Sequence, residues 1–326
     1  MIRSFRGLQT LVCGILVSSL FVTATAWGQQ VPKMRTRRLT SLTNDEAEGY
    51  LKRNNIVIIP VGPTEMHGAL PLEGEYVFAL GYALKMAEEI DALVFPHFAY
   101  DYPGGTLIGH GTFHLSVMES SDLLKKICYS LVRQGFGRIM FTSSHGPASN
   151  TIYPVVREIY EEKKVPLMDT AALLNQARAK VTAAGGKTDK TTYGLNEIAG
   201  QLSDLPLGVT APPGSRGGQG AGMATQAGGG RGRGGDVPMA MGMGNFYTDP
   251  EQHSWYPDKP LTEALRAEYA REGVAQVEAI VKAMDLKAAL RAMDKLKTTG
   301  KEVIKKYGSV VDVRWSGDKM ACEHLP

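Results

Sequence analysis

Short apolar runs alternate with amphipathic segments along the first half of the chain. Ile56–Ile59 is an unbroken apolar run ending in Pro60; Leu93–Phe95 reads as a second buried strand, Arg138–Thr142 as a third and Val165–Met168 as a fourth. Between them the apolar positions fall at helical spacing. Val77, Leu80, Ala83, Leu84, Ala87 and Ile90 mark a helix over Glu75–Ile90. Leu123, Leu124, Ile127, Leu131 and Val132 mark another that ends near Gln134 and is capped by Ser120 or Ser121. Further helices are predicted from Thr43 to Asn54, from Asn150 to about Lys164, and from about Thr170 to Ala184. Buried strands separated by helices of about four turns predict βαβ units. The fold class is therefore α/β: a three-layer sandwich around a mostly parallel sheet.

Such a sheet binds ligands outside the carboxyl ends of its strands. Glu65 and His67 follow the first strand, with Glu75 opening the next helix. His97 follows the second strand and His145 the third. In an extended loop residues i and i+2 point the same way, so Glu65 and His67 can approach one site. Carboxylate plus imidazole is a ligand set for Zn²⁺, Mn²⁺ or a similar divalent ion. A lone Glu-x-His arises often by chance, and each of these residues alone is an ordinary polar loop residue. Their convergence on one edge of the sheet is what makes Glu65, His67, Glu75 and His145 candidate metal ligands. His97, His110 and His114 cluster after the second strand, and each alone reads as a turn or core histidine. His110, between Gly109 and Gly111, is best placed to line a pocket.

The second half has a different texture. Residues 207–245 are rich in Gly with Met, Ala and Arg, and are expected to form a mobile insertion, because such a stretch buries too little apolar surface to offset ordering. Arg231-Gly232-Arg233 looks superficially like an RNA-binding segment, yet three arginines are too few to favour an interaction protein. An aromatic, turn-rich stretch spans Asn245–Pro260. Thr262–Met284 is a predicted amphipathic helix, Leu286–Lys297 and Lys301–Tyr307 suggest more helix, and Val310–Trp315 a short edge strand.

Composition adds limits. The chain has 326 residues, 43% hydrophobic and 21% charged, which suits one large α/β domain. Arg3 and Arg6 precede an apolar segment from Leu8 to about Val22, and small residues follow at Ala24, Ala26 and Gly28. That layout predicts a signal peptide over residues 1–28, hence an exported protein, periplasmic or extracellular. Its removal takes two arginines and lowers the formal charge from +3 to +1, which gives no basis for nucleic-acid binding or stable membrane association. Cys128 sits in a helical pattern and reads as a buried apolar residue. Whether it meets Cys322 is open.

Taken together, the motifs resemble the creatininase (creatinine amidohydrolase) family. The family pattern is a strand ending Pro-hydrophobic-Gly, then Glu-x-His-Gly, Leu-Pro and an Asp four residues on. Here it stands as Pro60-Val61-Gly62, Glu65-Met66-His67-Gly68, Leu70-Pro71 and Glu75. Gly111-Thr112 resembles the family's Pro-Gly-Thr, with His110 at the proline. Arg133–Ile139 and Ser144-His145-Gly146 with Asn150 resemble the segments around its third strand, and Thr248-Asp249-Pro250 is a weaker echo. The resemblance implies one or two divalent ions, Zn²⁺ or Mn²⁺, ligated by Glu65, His67 and His145, with Glu75 in the bridging carboxylate place. It implies a metal-dependent amidohydrolase acting on a non-peptide C–N bond of a small cyclic or linear amide, and a homo-oligomer, often a hexamer. Departures are visible. Pro147 stands where creatininase has a ligating Glu. In the segment resembling His-Ala-Gly-x-x-Glu, Glu197 is retained but Thr192 replaces the acid/base His. Glu197, Tyr193 and His110 are the candidate catalytic residues, with His253 another substitute for the missing His. A non-catalytic relative that keeps a metal or small-ligand site is the alternative.

Overall fold

The computed structural model describes residues 33–212 and 246–311. The signal peptide, most of the Gly-rich stretch, Cys322 and all but the first two residues of the expected Val310–Trp315 strand lie outside them.

Four parallel strands form one sheet: β1 (Ile56–Pro60), β2 (Leu93–Val94), β3 (Arg138–Thr142) and β4 (Leu167–Asp169), in spatial order β2-β1-β3-β4. Val57 pairs with Leu93 on one side and Ile139 on the other, and Ile139 with Leu167. β1 is central and buried at every position, which is why it reads as a continuous apolar run and not as an alternation.

Successive strand residues face opposite sides, and each side has its own core. Val57, Ile59, Ile139, Phe141 and Leu167 pack with helices α1 (Asn44–Leu51), α3 (Val117–Arg133) and α4 (Ala148–Lys163). Ile56, Ile58, Val94 and Met140 pack with α2 (Gly74–Ile90), α5 (Ala171–Ala183), α6 (Thr191–Ala199) and α7 (Glu263–Ala283). This is the expected three-layer α/β sandwich. The chain runs from β1 outward to β2, then returns past β1 to β3 and β4. The reversal leaves a crevice above the carboxyl ends of β1 and β3.

Several expected boundaries shift. Ser116, not Ser120 or Ser121, caps α3: its side chain accepts from the Glu119 N–H, and the Glu119 side chain accepts from the Ser116 N–H. This capping box places the start four residues earlier. Ser120 and Ser121 are instead buried. The two suggested C-terminal helices form one assigned segment, α8 (Leu286–Val311), with a non-helical residue at Tyr307. Val310 and Val311 therefore belong to helix and not to a strand. Helix α6 is the unexpected element. Its Thr-Thr and Gly are poor helix formers. It is held by close packing on α7, where a Cβ added to Gly194 would lie 2.1 Å from the Gly273 carbonyl carbon.

Candidate metal centre

The loop that leaves β1 is fixed by its neighbours before any functional side chain is considered. The Glu65 N–H donates to the Leu72 carbonyl at 2.8 Å and the Phe113 N–H to the Thr64 carbonyl at 2.9 Å. The Met66 N–H donates to the Thr112 hydroxyl at 3.0 Å, which gives the Gly111-Thr112 motif a physical role as a clasp. A second clasp comes from the far end of the chain. The Trp255 N–H donates to the His67 carbonyl at 3.1 Å, and the Ala69 N–H to the Trp255 carbonyl at 2.8 Å. Gly68 lies between them with φ +65°. A Cβ there would sit 2.8 Å from the Ser254 Cβ and 2.9 Å from the Trp255 nitrogen. The glycine of Glu-x-His-Gly is thus required twice, by its left-handed backbone and by the close approach of residues 254–255.

This docking delivers His253, at the end of a short 3₁₀ turn (Pro250–His253), to the same place as Glu65 and His67. The His253 Nε2 lies 3.5 Å from Glu65 Oε1, and its ring is centred 4.4 Å from that of His67. Tyr247 stacks on its other side at 5.1 Å. From β3 comes His145, whose Nδ1 is 3.2 Å from Glu65 Oε1 and whose Nε2 is 3.0 Å from the Tyr102 carbonyl. A carbonyl only accepts, so Nε2 carries the hydrogen and Nδ1 faces the carboxylate. Glu75, in the first turn of α2, places Oε1 3.8 Å from His67 Nδ1. The Thr106 hydroxyl donates to Glu65 Oε2 at 2.5 Å and leaves Oε1 facing the histidines.

Donor atoms of Glu65, His67 and His253 lie within 4.8 Å of one another, as do those of Glu65, Glu75 and His145. Glu65 belongs to both groups. Glu75 reaches toward His67 as well as into its own group, so both carboxylates lie between the two histidine sets. Glu65, His67, Glu75 and His145 are all buried. Burial opposes charge on Glu65, but His145 and His253 draw its carboxyl well below the usual range. Burial pushes the Glu75 carboxyl up to about 6, with the Glu65 charge adding to the effect. Burial also lowers His67 to about 3, reinforced by His253. For His145, burial is outweighed by Glu65, Asp101 and Glu75, which raise it to about 9.

These residues fit a divalent cation. Glu65 Oε1, His67 Nδ1, Glu75 Oε2 and His253 Nε2 are all buried without a hydrogen-bond partner. Buried polar atoms are rarely left so. Four of them in one crevice, all able to offer lone pairs, make a cation the simplest common partner.

The candidate catalytic residues are not brought here. His110 is exposed on the loop after β2 and stands outside both donor groups. Glu197 is exposed on α6, because the helix turns its neighbours Leu195 and Asn196 inward instead. Tyr193 is buried in the core between Trp255 and Tyr269, at 5.8 and 5.0 Å, and its size and burial make it a packing residue. His97 and His114 are exposed; His97 pairs with Glu73 at 3.2 Å and His114 lies against Tyr102. Two neighbours had no sequence signal. Thr106 is one polar residue in a Gly-rich loop, and Asp101 lies next to Tyr102 with a fully buried carboxylate.

Residues 40–194 match the family Creatininase, described as creatinine amidohydrolase. Comparison with curated proteins gave no match. Among solved structures, a creatinine amidohydrolase (creatininase) is 16% identical and aligns over 84% of this chain and 99% of its own, with a TM-score of 0.49. A mutant creatininase of zinc–zinc type is 16% identical over the same shares, with a TM-score of 0.46. A manganese form of creatininase is 17% identical over the same shares, with a TM-score of 0.43. The matched span carries all four strands and every donor except His253, and over those residues the chain is similar to the creatininase family.

Proposed function

We propose that the protein is a metal-dependent amidohydrolase that cleaves a non-peptide C–N bond in a small amide. The observation that carries the reading is the set of four buried, unpartnered donor atoms from Glu65, His67, Glu75 and His253. The family match over residues 40–194 supports the reaction class, and the carboxylate-imidazole donor set makes Zn²⁺ and Mn²⁺ the ions to try first. Glu65, His67 and His253 would hold one ion, and Glu65, Glu75 and His145 either share it or hold a second. A bound divalent ion supplies Lewis acidity toward a carbonyl and lowers the pKa of water.

The chain's own residues do the rest. Tyr102 fixes the tautomer of His145, so its Nδ1 points into the centre. Thr106 orients the Glu65 carboxylate. His67, kept neutral, offers a lone pair across the working pH range. Burial raises Glu75 to about 6, so in the metal-free centre it competes for a proton that a bound cation would displace. We further propose export of the mature chain and self-association into a homo-oligomer. The exposed Glu197 and the core position of Tyr193 favour a second reading, a relative that binds metal or a small ligand without turnover.

Metal analysis of the purified mature protein separates these from a metal-free scaffold. We expect near-stoichiometric Zn²⁺ or Mn²⁺, lost in His67→Ala, His145→Ala and His253→Ala. Protein that holds no metal and whose stability ignores chelators would sink the reading. Lactams, formamides and other small amides then test turnover. Metal binding without hydrolysis of any of them would select the second reading.

A further inference from the structure

Asp101 is another buried group that the fold leaves poorly partnered and, among the described residues, the one such carboxylate outside the donor set. It lies on the loop after β2, has no solvent exposure, and neither carboxylate oxygen makes a hydrogen bond. The Thr151 hydroxyl and the Tyr102 backbone N–H lie close enough to favour its charge, without meeting either oxygen at good hydrogen-bond geometry. A carboxylate taken out of water without a well-formed hydrogen bond or a cation is unfavourable. Something must offset that, and the surroundings name one candidate. The favourable charge that reaches Asp101 is that of His145, while Glu65 repels it. The adjacent residue, Tyr102, is the one whose carbonyl accepts from His145 Nε2. Asp101 is thus next in the chain to the carbonyl that holds the His145 ring.

We propose that Asp101 is a positioning residue for the metal centre. Its negative charge, one residue from the carbonyl that holds His145, would strengthen Nδ1 as a ligand and favour a cation at the centre. The proposal rests on the metal-centre reading. Carboxylates that act on a metal through a ligating histidine typically alter affinity by about 10–100-fold. In those cases the carboxylate accepts the ring N–H. Here the Tyr102 carbonyl has taken that place, and the carboxylate of the preceding residue acts through its charge.

The test is calorimetric titration of the metal-free mature protein with Zn²⁺ and with Mn²⁺, comparing the parent, Asp101→Asn and Asp101→Ala. Asp101→Asn keeps the shape and removes the charge. We expect affinity to fall about tenfold in both variants. The melting temperature of metal-free Asp101→Asn should equal or exceed the parent's, because burial disfavours the ionised carboxylate. A merely structural role would lower apo stability and affinity together. The inference is overturned if Asp101→Asn binds metal as tightly as the parent, or if its apo form is clearly less stable. If the parent itself binds no divalent ion, the metal-centre reading fails first and takes this inference with it. A parent that binds with an unchanged variant overturns the role of Asp101 alone.

Discussion

His145 is pulled in two directions by protons and by metal. In the metal-free protein its value stands near 9, above the ordinary 6.5. Its contribution to stability is therefore full below about pH 6.5 and is lost as pH rises through about 9. Glu75 stands near 6, above its ordinary 4.5, so its ionisation weakens the metal-free fold as pH climbs through about 6. A cation takes the places of both protons. Affinity for Zn²⁺ or Mn²⁺ should accordingly rise between pH 6 and 9, and calorimetry in buffers of different ionisation enthalpy should detect proton release. An affinity that is flat over that range would mean that His145 is not a ligand. At this scale the sequence was informative where chemistry and position coincide: Glu65 and His67 are two apart on a strand exit, and His145 ends another. Asp101 and Thr106 were not legible, because their importance comes from burial and from one neighbour each.

Helix α6 shows what a single packed pair does for an element. Gly194 on α6 and Gly273 on α7 meet so closely that a Cβ on Gly273 would lie 2.1 Å from the Lys190 carbonyl oxygen. Backbone cannot yield as a flexible side chain does, so Gly273→Ala should force the helices apart and cost about 1–3 kcal/mol or more. Denaturant unfolding measures this directly, and a neutral effect would show that the crossing is loose. The pair also explains why α6 escaped a local reading. Its Thr and Gly residues argue against helix, and the partner that overrules them lies some 80 residues away. The strands and α2 to α5 gave the opposite experience. Long apolar periodicity and caps sufficed there, with errors of a few residues where Ser116 outcompeted Ser120 as the cap.

For the whole molecule, the centre ties together both ends of the described chain. Glu65, His67 and Glu75 come from the first strand and helix, His145 from the third strand and His253 from beyond the Gly-rich stretch. An ion that binds only this arrangement stabilises the fold by mass action. Free ion at about 100 times its dissociation constant should add about 2.7 kcal/mol, and a chelator should remove it, read as a shift in thermal midpoint. No change with chelator would show that metal and folding are uncoupled. The doubly wound order was predictable only as a class. That β1 and β3 are neighbours, and so share a crevice, depends on which strand pairs with which, and composition does not encode that. The docking of His253 was harder still, since residues 246–256 carry no periodic pattern and gain their place from two backbone bonds to the loop around Gly68.

That docking sets an order of events during synthesis. The donors at 65, 67, 75 and 145 emerge from the ribosome well before residue 253, which lies in the last quarter of the chain. A nascent chain can hold an ion loosely from its first half, but full coordination waits until the segment ending in Trp255 has closed over the loop. If the centre binds metal as proposed, selection would happen late, in whichever compartment the finished chain folds, and would follow the ions available there and not those at the site of translation.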